Sequence, residues 1–73
     1  MDINQVVAYN IKQKRKAKNM TQEELAFLSG LHRSYICQIE AARKSVTVKT
    51  LYAIAKVLDV SVSYLCDSSI AIS

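Results

Sequence analysis

Proline and tryptophan are absent from the chain, glycine occurs once, and only two cysteines are present. With so little turn punctuation, the sequence gives no support to a many-stranded sheet, and collagen-like or linker character is excluded. Cys37 and Cys66 lie far apart and form no CxxC pair. A disulfide framework or zinc module therefore finds no pattern, and two free thiols are expected with no metal and no cofactor. No apolar run approaches the roughly 18 residues needed to span a bilayer, and the N-terminal stretch lacks a signal-peptide core. We expect a soluble, cytoplasmic chain with no membrane association.

What is present points to helix. Hydrophobic residues make up 51% of 73 residues, spread evenly enough to support a core, and Ala, Leu, Glu, Gln and Lys are strong helix formers. A chain of this length supports one all-α domain, spanning residues 1–73. Ten Lys and Arg against six Asp and Glu give a net charge of +4. That excess suits an anionic partner, nucleic acid or a membrane surface.

Ile3, Val7 and Ile11 recur at i,i+4 spacing, which predicts a helix over residues 3–18 with strongly basic later turns. Asn19 is placed to end it, because Asn tolerates the left-handed conformation. Thr21 and Glu24 form a capping box for a second helix carrying Leu25, Ala26 and Leu28, and Gly30 marks a sharp turn after it. A third helix from Arg33 to about Ala41 turns Ile36 and Ile39 inward, which leaves Arg33, Ser34, Cys37, Gln38 and Ala41 on the opposite face. Thr47 caps a fourth helix with Val48, Leu51, Ile54, Ala55 and Leu58 on its core side. Ser61 caps a short fifth, Val62 to Cys66, and the tail from Asp67 onward has no clear period.

Two short helices joined by a glycine turn, the second with a polar outward face, describe a DNA-binding helix-turn-helix at about residues 22–41. The run Thr21-Gln22-Glu23-Glu24-Leu25-Ala26, Gly30, Arg33-Ser34-Tyr35-Ile36 and Ile39-Glu40 resembles the Cro/CI-type (XRE) family of phage repressors and bacterial regulators. Thr47-Val48-Lys49-Thr50-Leu51 through Ala55, Leu58, Val60-Ser61 and Leu65 extends the resemblance over roughly residues 7–66. Within the family, the short length and the His32-Arg33-Ser34-Tyr35-Ile36 run are similar to controller proteins of restriction-modification systems. Two positions depart from the pattern: Ala42 stands near a common Gly, and Lys14 near a usually apolar position.

The resemblance implies a compact five-helix, lambda-repressor-like fold and a sequence-specific transcriptional regulator of double-stranded DNA. It places Gln22 at a phosphate and Arg33 on guanine O6 and N7, a pairing worth about 1–3 kcal/mol of discrimination. Ser34 and Gln38 read base edges or phosphates, Cys37 offers a small apolar contact to a thymine methyl, and Tyr35, Arg43, Lys44 and Ser45 clamp the backbone. The family pattern also implies a partly buried ion pair between Arg15 and Glu40. His32 fits a phosphate contact and a merely exposed or capping role equally well. With Cys37 it lacks the third ligand or orienting acid that metal binding or thiol catalysis requires, so no enzyme is expected. The Lys12–Lys18 run reads as a solvated face that adds long-range attraction.

Leu51, Ile54, Ala55, Leu58 and Leu65 suffice for the core side, which leaves Val57, Val62 and Tyr64 as an apolar surplus near the C-terminus, with Ile70 and Ile72 adding to it. A homodimer through the fourth and fifth helices accounts for that surplus and doubles the DNA site. Tyr9 and Tyr52 read as core-edge residues. No small-molecule ligand is expected. The competing reading is an antitoxin or phage-type repressor that also binds a protein partner; it needs surface beyond the helix-turn-helix. A membrane-surface binder would need apolar stripes that the core already uses.

Overall fold

Among the described residues of the computed structural model, six helices follow one another: α1 (Ile3–Ala17), α2 (Gln22–Ser29), α3 (Arg33–Glu40), α4 (Val48–Leu58), α5 (Val62–Leu65) and α6 (Ser68–Ile72). The structure describes residues 2–72, the last two by their backbone alone. The all-α expectation holds, and the expected count of five is corrected to six. The additional α6 falls in the tail, where too few turns exist for a hydrophobic period to register.

Local chemistry sets the boundaries. Asp2 closes a capping box with Gln5 at the start of α1: its carboxylate accepts from the Gln5 N–H at 2.9 Å, and its own N–H donates to Gln5 Oε1 at 3.1 Å. Lys14, Arg15 and Lys16 occupy the last turn of α1, where cations complement the negative end of the helix dipole. Asn19 then takes a φ of 55°, the left-handed conformation that stops the helix. Thr21 and Glu24 form the expected capping box at α2, at 3.0 and 2.9 Å. Gly30 reverses the chain at a φ of 74°, and the Leu31 N–H donates back to the Ala26 carbonyl at 2.8 Å. An added Cβ at Gly30 would meet nothing within 4 Å, so the requirement for glycine comes from the backbone angle alone. Thr47 and Ser61 cap α4 and α5 as expected.

The core gathers Val7, Ile11, Leu25, Ala26, Ile36, Ile39, Leu51, Ile54, Ala55, Leu58 and Leu65. Each fully buried aliphatic side chain contributes about 1.5–3 kcal/mol over an exposed one. Three expectations for this core are corrected. Ile3 and Val48 are exposed, the latter at 78%, because each is the first residue of its helix and projects past the end of the packed layer. Tyr52, expected at the core edge, stands well out into solvent. Its position between Leu51 and Ala53 turns it away from the arc defined by Leu51, Ile54, Ala55 and Leu58.

Candidate nucleic-acid interface

α3 presents the face that the sequence assigns to it. Ile36 and Ile39 are buried, whereas Arg33, Ser34, Cys37, Gln38 and Ala41 are exposed. These five positions lie on one side of a two-turn helix, so a partner approaching from solvent meets a cation, a hydroxyl, a thiol, an amide and a methyl together. Tyr35 is half-buried and packs against the core, which gives its ring a structural role alongside any surface contact. His32 is the N-cap of α3 and makes no side-chain cap bond.

The end of α3 is braced by a polar network. Arg15 Nε donates to Glu40 Oε2 at 2.7 Å, and Arg15 Nη2 to Glu40 Oε1 at 2.9 Å. Arg15 Nη1 donates to the Met20 carbonyl at 2.7 Å. The two side chains are 10% and 3% exposed, so the pair is largely withdrawn from water. The hydrogen bonds to Glu40 push the Arg15 pKa up; burial opposes this, and the Glu40 charge adds to the rise. Gln22 Nε2 donates to Glu40 Oε1 at 3.1 Å, an interaction not expected from the sequence. One amide hydrogen of Gln22 is thereby turned inward, and the second remains for an outside acceptor. One carboxylate thus ties together α1, the start of α2 and the end of α3.

Arg43, Lys44 and Ser45 are exposed in the loop between α3 and α4. Asn4 Nδ2 donates to Ser45 Oγ at 3.3 Å, which links this loop to the first turn of α1 and leaves the serine hydroxyl free to donate. Ala42 enters the loop with a φ of 59°, the conformation that explains why glycine suits this position. With Arg33 and Lys49, also exposed, the loop cations make the surface around α3 basic and suited to phosphates.

The residues expected at a dimer contact have different surroundings within the subunit. Val62 lines an open cleft of about 400 Å³ with Tyr52, Lys56, Asp59 and Val60, whereas Val57 and Tyr64 are not among the residues lining it. Val57, Val62 and Tyr64 are all half-buried and packed on the core. Tyr64 also lies beneath Lys14, whose Nζ is 5.6 Å from the ring centroid. The side chain of Ile72 lies outside the described residues.

Two further features were not foreseen from the sequence. Asn10, 1% exposed, sits among apolar residues on the inner face of α1. It donates to three backbone carbonyls, those of Tyr64, Leu65 and Asp67, at 3.3, 3.0 and 3.1 Å. An asparagine at an apolar-periodic position was the available signal. Phe27 and Leu28, on α2, are 83% and 57% exposed and line a groove of about 560 Å³ with Thr21, Glu23 and Glu24. Cys37 and Cys66 are free thiols. No group of three or more metal-binding side chains occurs among the described residues, and no described helix is long and apolar enough to cross a membrane.

Comparison with known proteins fits this geometry. The helix-turn-helix family matches residues 11–65. The chain is 45% identical over 65 residues to the control protein C.SmaI of Serratia marcescens, an alignment covering 89% of this chain and 77% of that protein. It is similar in structure to the restriction-modification controller protein C.AhdI from Aeromonas hydrophila, with a TM-score of 0.82 and 34% identity, covering 85% of this chain and 94% of that one. It is also similar to SinR, a master regulator for biofilm formation solved in complex with DNA. There the TM-score is 0.80 and the identity 37%, with 84% of this chain and 98% of that one covered.

Proposed function

The chain belongs to the helix-turn-helix family of transcriptional regulators, and from that premise we propose that it binds a palindromic DNA operator as a homodimer, in the cytoplasm, and controls a restriction-modification operon. The observation that carries the DNA reading is the outward face of α3, polar and exposed over an apolar inner face and braced at its end by Glu40. Arg33 reads guanine, Ser34 and Gln38 reach base edges or phosphates, and Cys37 meets a thymine methyl. Gln22, Tyr35, Arg43, Lys44 and Ser45 hold the sugar-phosphate backbone and fix the register. The controller assignment is supported by the likeness to C.SmaI and C.AhdI.

A selection experiment tests this. Random duplexes retained by the purified protein at moderate salt are sequenced, and the recovered motif is located in the source genome. We expect a two-fold symmetric motif upstream of a restriction-modification operon that includes this gene. Retention without sequence preference would refute the regulator reading, and a motif elsewhere in the genome would refute the controller reading alone.

Phe27 and Leu28 favour a second reading, in which the regulator also binds a protein, as the antitoxin or phage-type repressor alternative requires. They leave an apolar groove flanked by Glu23 open to solvent. Its test is Phe27→Ser: operator affinity should stay unchanged, and regulation in cells should be lost only if this face has a partner.

A further inference from the structure

α1 carries grips on two other helices within less than two turns. Asn10 and Lys14, one helical turn apart, both hold Tyr64: Asn10 donates to its backbone carbonyl and to those of Leu65 and Asp67, and the Lys14 ammonium lies over its ring. Arg15, the next residue, holds Glu40 at the end of α3. α1 packs against both α3 and α5, whereas among the described residues α3 and α5 share at most a marginal contact. α5 also packs against α4, but α1 is the helix that packs directly on both α5 and α3, so these residues of α1 supply the most direct link between α5 and the recognition surface.

The chemistry of Asn10 is not that of a residue kept for stability alone. Its Oδ1 is buried and without a hydrogen-bond partner, a destabilising arrangement that an apolar side chain of the same size would avoid. Its amide group instead gives direction: it meets the carbonyls of Tyr64, Leu65 and Asp67 at the end of a four-residue helix, where the Tyr64 carbonyl also accepts from the Asp67 N–H at 3.2 Å. Packing alone would let so short a helix slide or rotate, whereas three converging acceptors fix its place. A buried polar group of this kind specifies one geometry among several of similar packing.

We propose that Asn10 and Lys14 are positioning residues that set the spacing between the two DNA half-sites, by locking α5 at the dimer contact to the helix that braces α3. The inference rests on the homodimer reading above. In a two-fold dimer the distance between recognition helices follows from how each subunit holds its dimer face, so a looser α5 broadens the range of spacings that both helices reach together.

The experiment uses the full chain and the duplex recovered by selection, together with a single half-site duplex and versions whose half-sites are moved by one and two base pairs in each direction. Lys14→Met removes the cation over Tyr64 at a half-buried position, and Asn10→Leu removes the donor while keeping the branching of the side chain. Lys14→Arg keeps a cation for the ring and serves as the conservative rescue. The unmodified protein and Lys14→Arg should prefer one spacing by about tenfold, a base-pair-sized penalty. In Lys14→Met that preference should fall at least severalfold, beyond any uniform loss of half-site and full-site affinity from the missing charge, and folded Asn10→Leu should lose the preference at unchanged half-site affinity. A Lys14→Met spacing profile equal to the parent's overturns the proposal, as does an equal loss of half-site and full-site binding. Lys14→Met decides the matter if Asn10→Leu fails to fold. A parent that sediments as a monomer and binds half-site and full site equally overturns the homodimer reading instead.

Discussion

Ala42 holds a left-handed φ of 59° with a Cβ to accommodate, and the left-handed region costs an L-residue about 1–2 kcal/mol. Glycine removes that strain but adds entropy to the unfolded chain, worth about 0.4–1 kcal/mol. Ala42→Gly should therefore raise stability by up to about 1.5 kcal/mol, measured as an increased urea midpoint at unchanged slope. A lowered midpoint would show that the loop does not need this angle. Arg33 and Lys44 are both exposed cations, yet they are assigned different roles. Arg33→Ala should weaken operator binding by about 1–3 kcal/mol more than it weakens binding to random DNA, and Lys44→Ala should weaken both by similar factors. Affinities at two salt concentrations separate the cases, and an unchanged specificity ratio for Arg33→Ala would remove Arg33 from the base-reading set.

Helix boundaries were readable from single residues because capping acts over three or four positions: Thr21 with Glu24, Gly30, Thr47 and Ser61 all end or begin elements where their chemistry places them. The exposure of Val48 and Phe27 was not readable, because a hydrophobic period does not reveal where the neighbouring helices stop. Asn10 and the Gln22–Glu40 bond join residues brought together only by tertiary packing. The Arg15–Glu40 brace belongs at this scale, since it joins α1 to α3. Arg15→Met leaves a nearly buried carboxylate unpaired, and the expected loss is about 3–5 kcal/mol. Arg15→Met with Glu40→Leu should recover most of it in chemical denaturation; a double variant as unstable as the single one would assign the loss to packing. The raised Arg15 pKa places its contribution fully on the low side of the guanidinium range, so Arg15 adds no slope to stability near neutral pH. Glu24 acts in the opposite sense: its hydrogen bonds with Thr21 hold its pKa below the ordinary 4.5. The stability it lends is present above 4.5 and is lost as pH falls from there through the lowered folded-state pKa. The acid limb of the melting profile below pH 4.5 should therefore be shallower in Glu24→Gln, and an unchanged limb would count against the capping box as its source.

At the scale of the whole molecule, the body measures 28 × 22 × 19 Å, while successive major-groove faces of a duplex lie about 34 Å apart. One copy reaches one such face, and a second copy related by a two-fold axis is required to reach the next. The cleft holding Tyr52, Lys56, Asp59, Val60 and Val62 supplies a surface suited to self-association: it has an exposed ring, an apolar floor, and a Lys and an Asp whose opposite charges can pair across the axis. Tyr52 is 62% exposed, so changing it costs the isolated subunit little. Tyr52→Asp should therefore shift the sedimenting species from dimer to monomer while its melting temperature stays near that of the monomeric chain. Val57 lies outside the cleft and is packed on the core, so Val57→Asp should lower stability by about 1–3 kcal/mol without a selective effect on association. In operator titrations the Tyr52→Asp variant should bind the palindrome no more tightly than a half-site. If instead it sediments and binds as the parent does, while Tyr64→Asp dissociates the dimer with its fold intact, the contact lies on the outer face of α5 and not in this cleft.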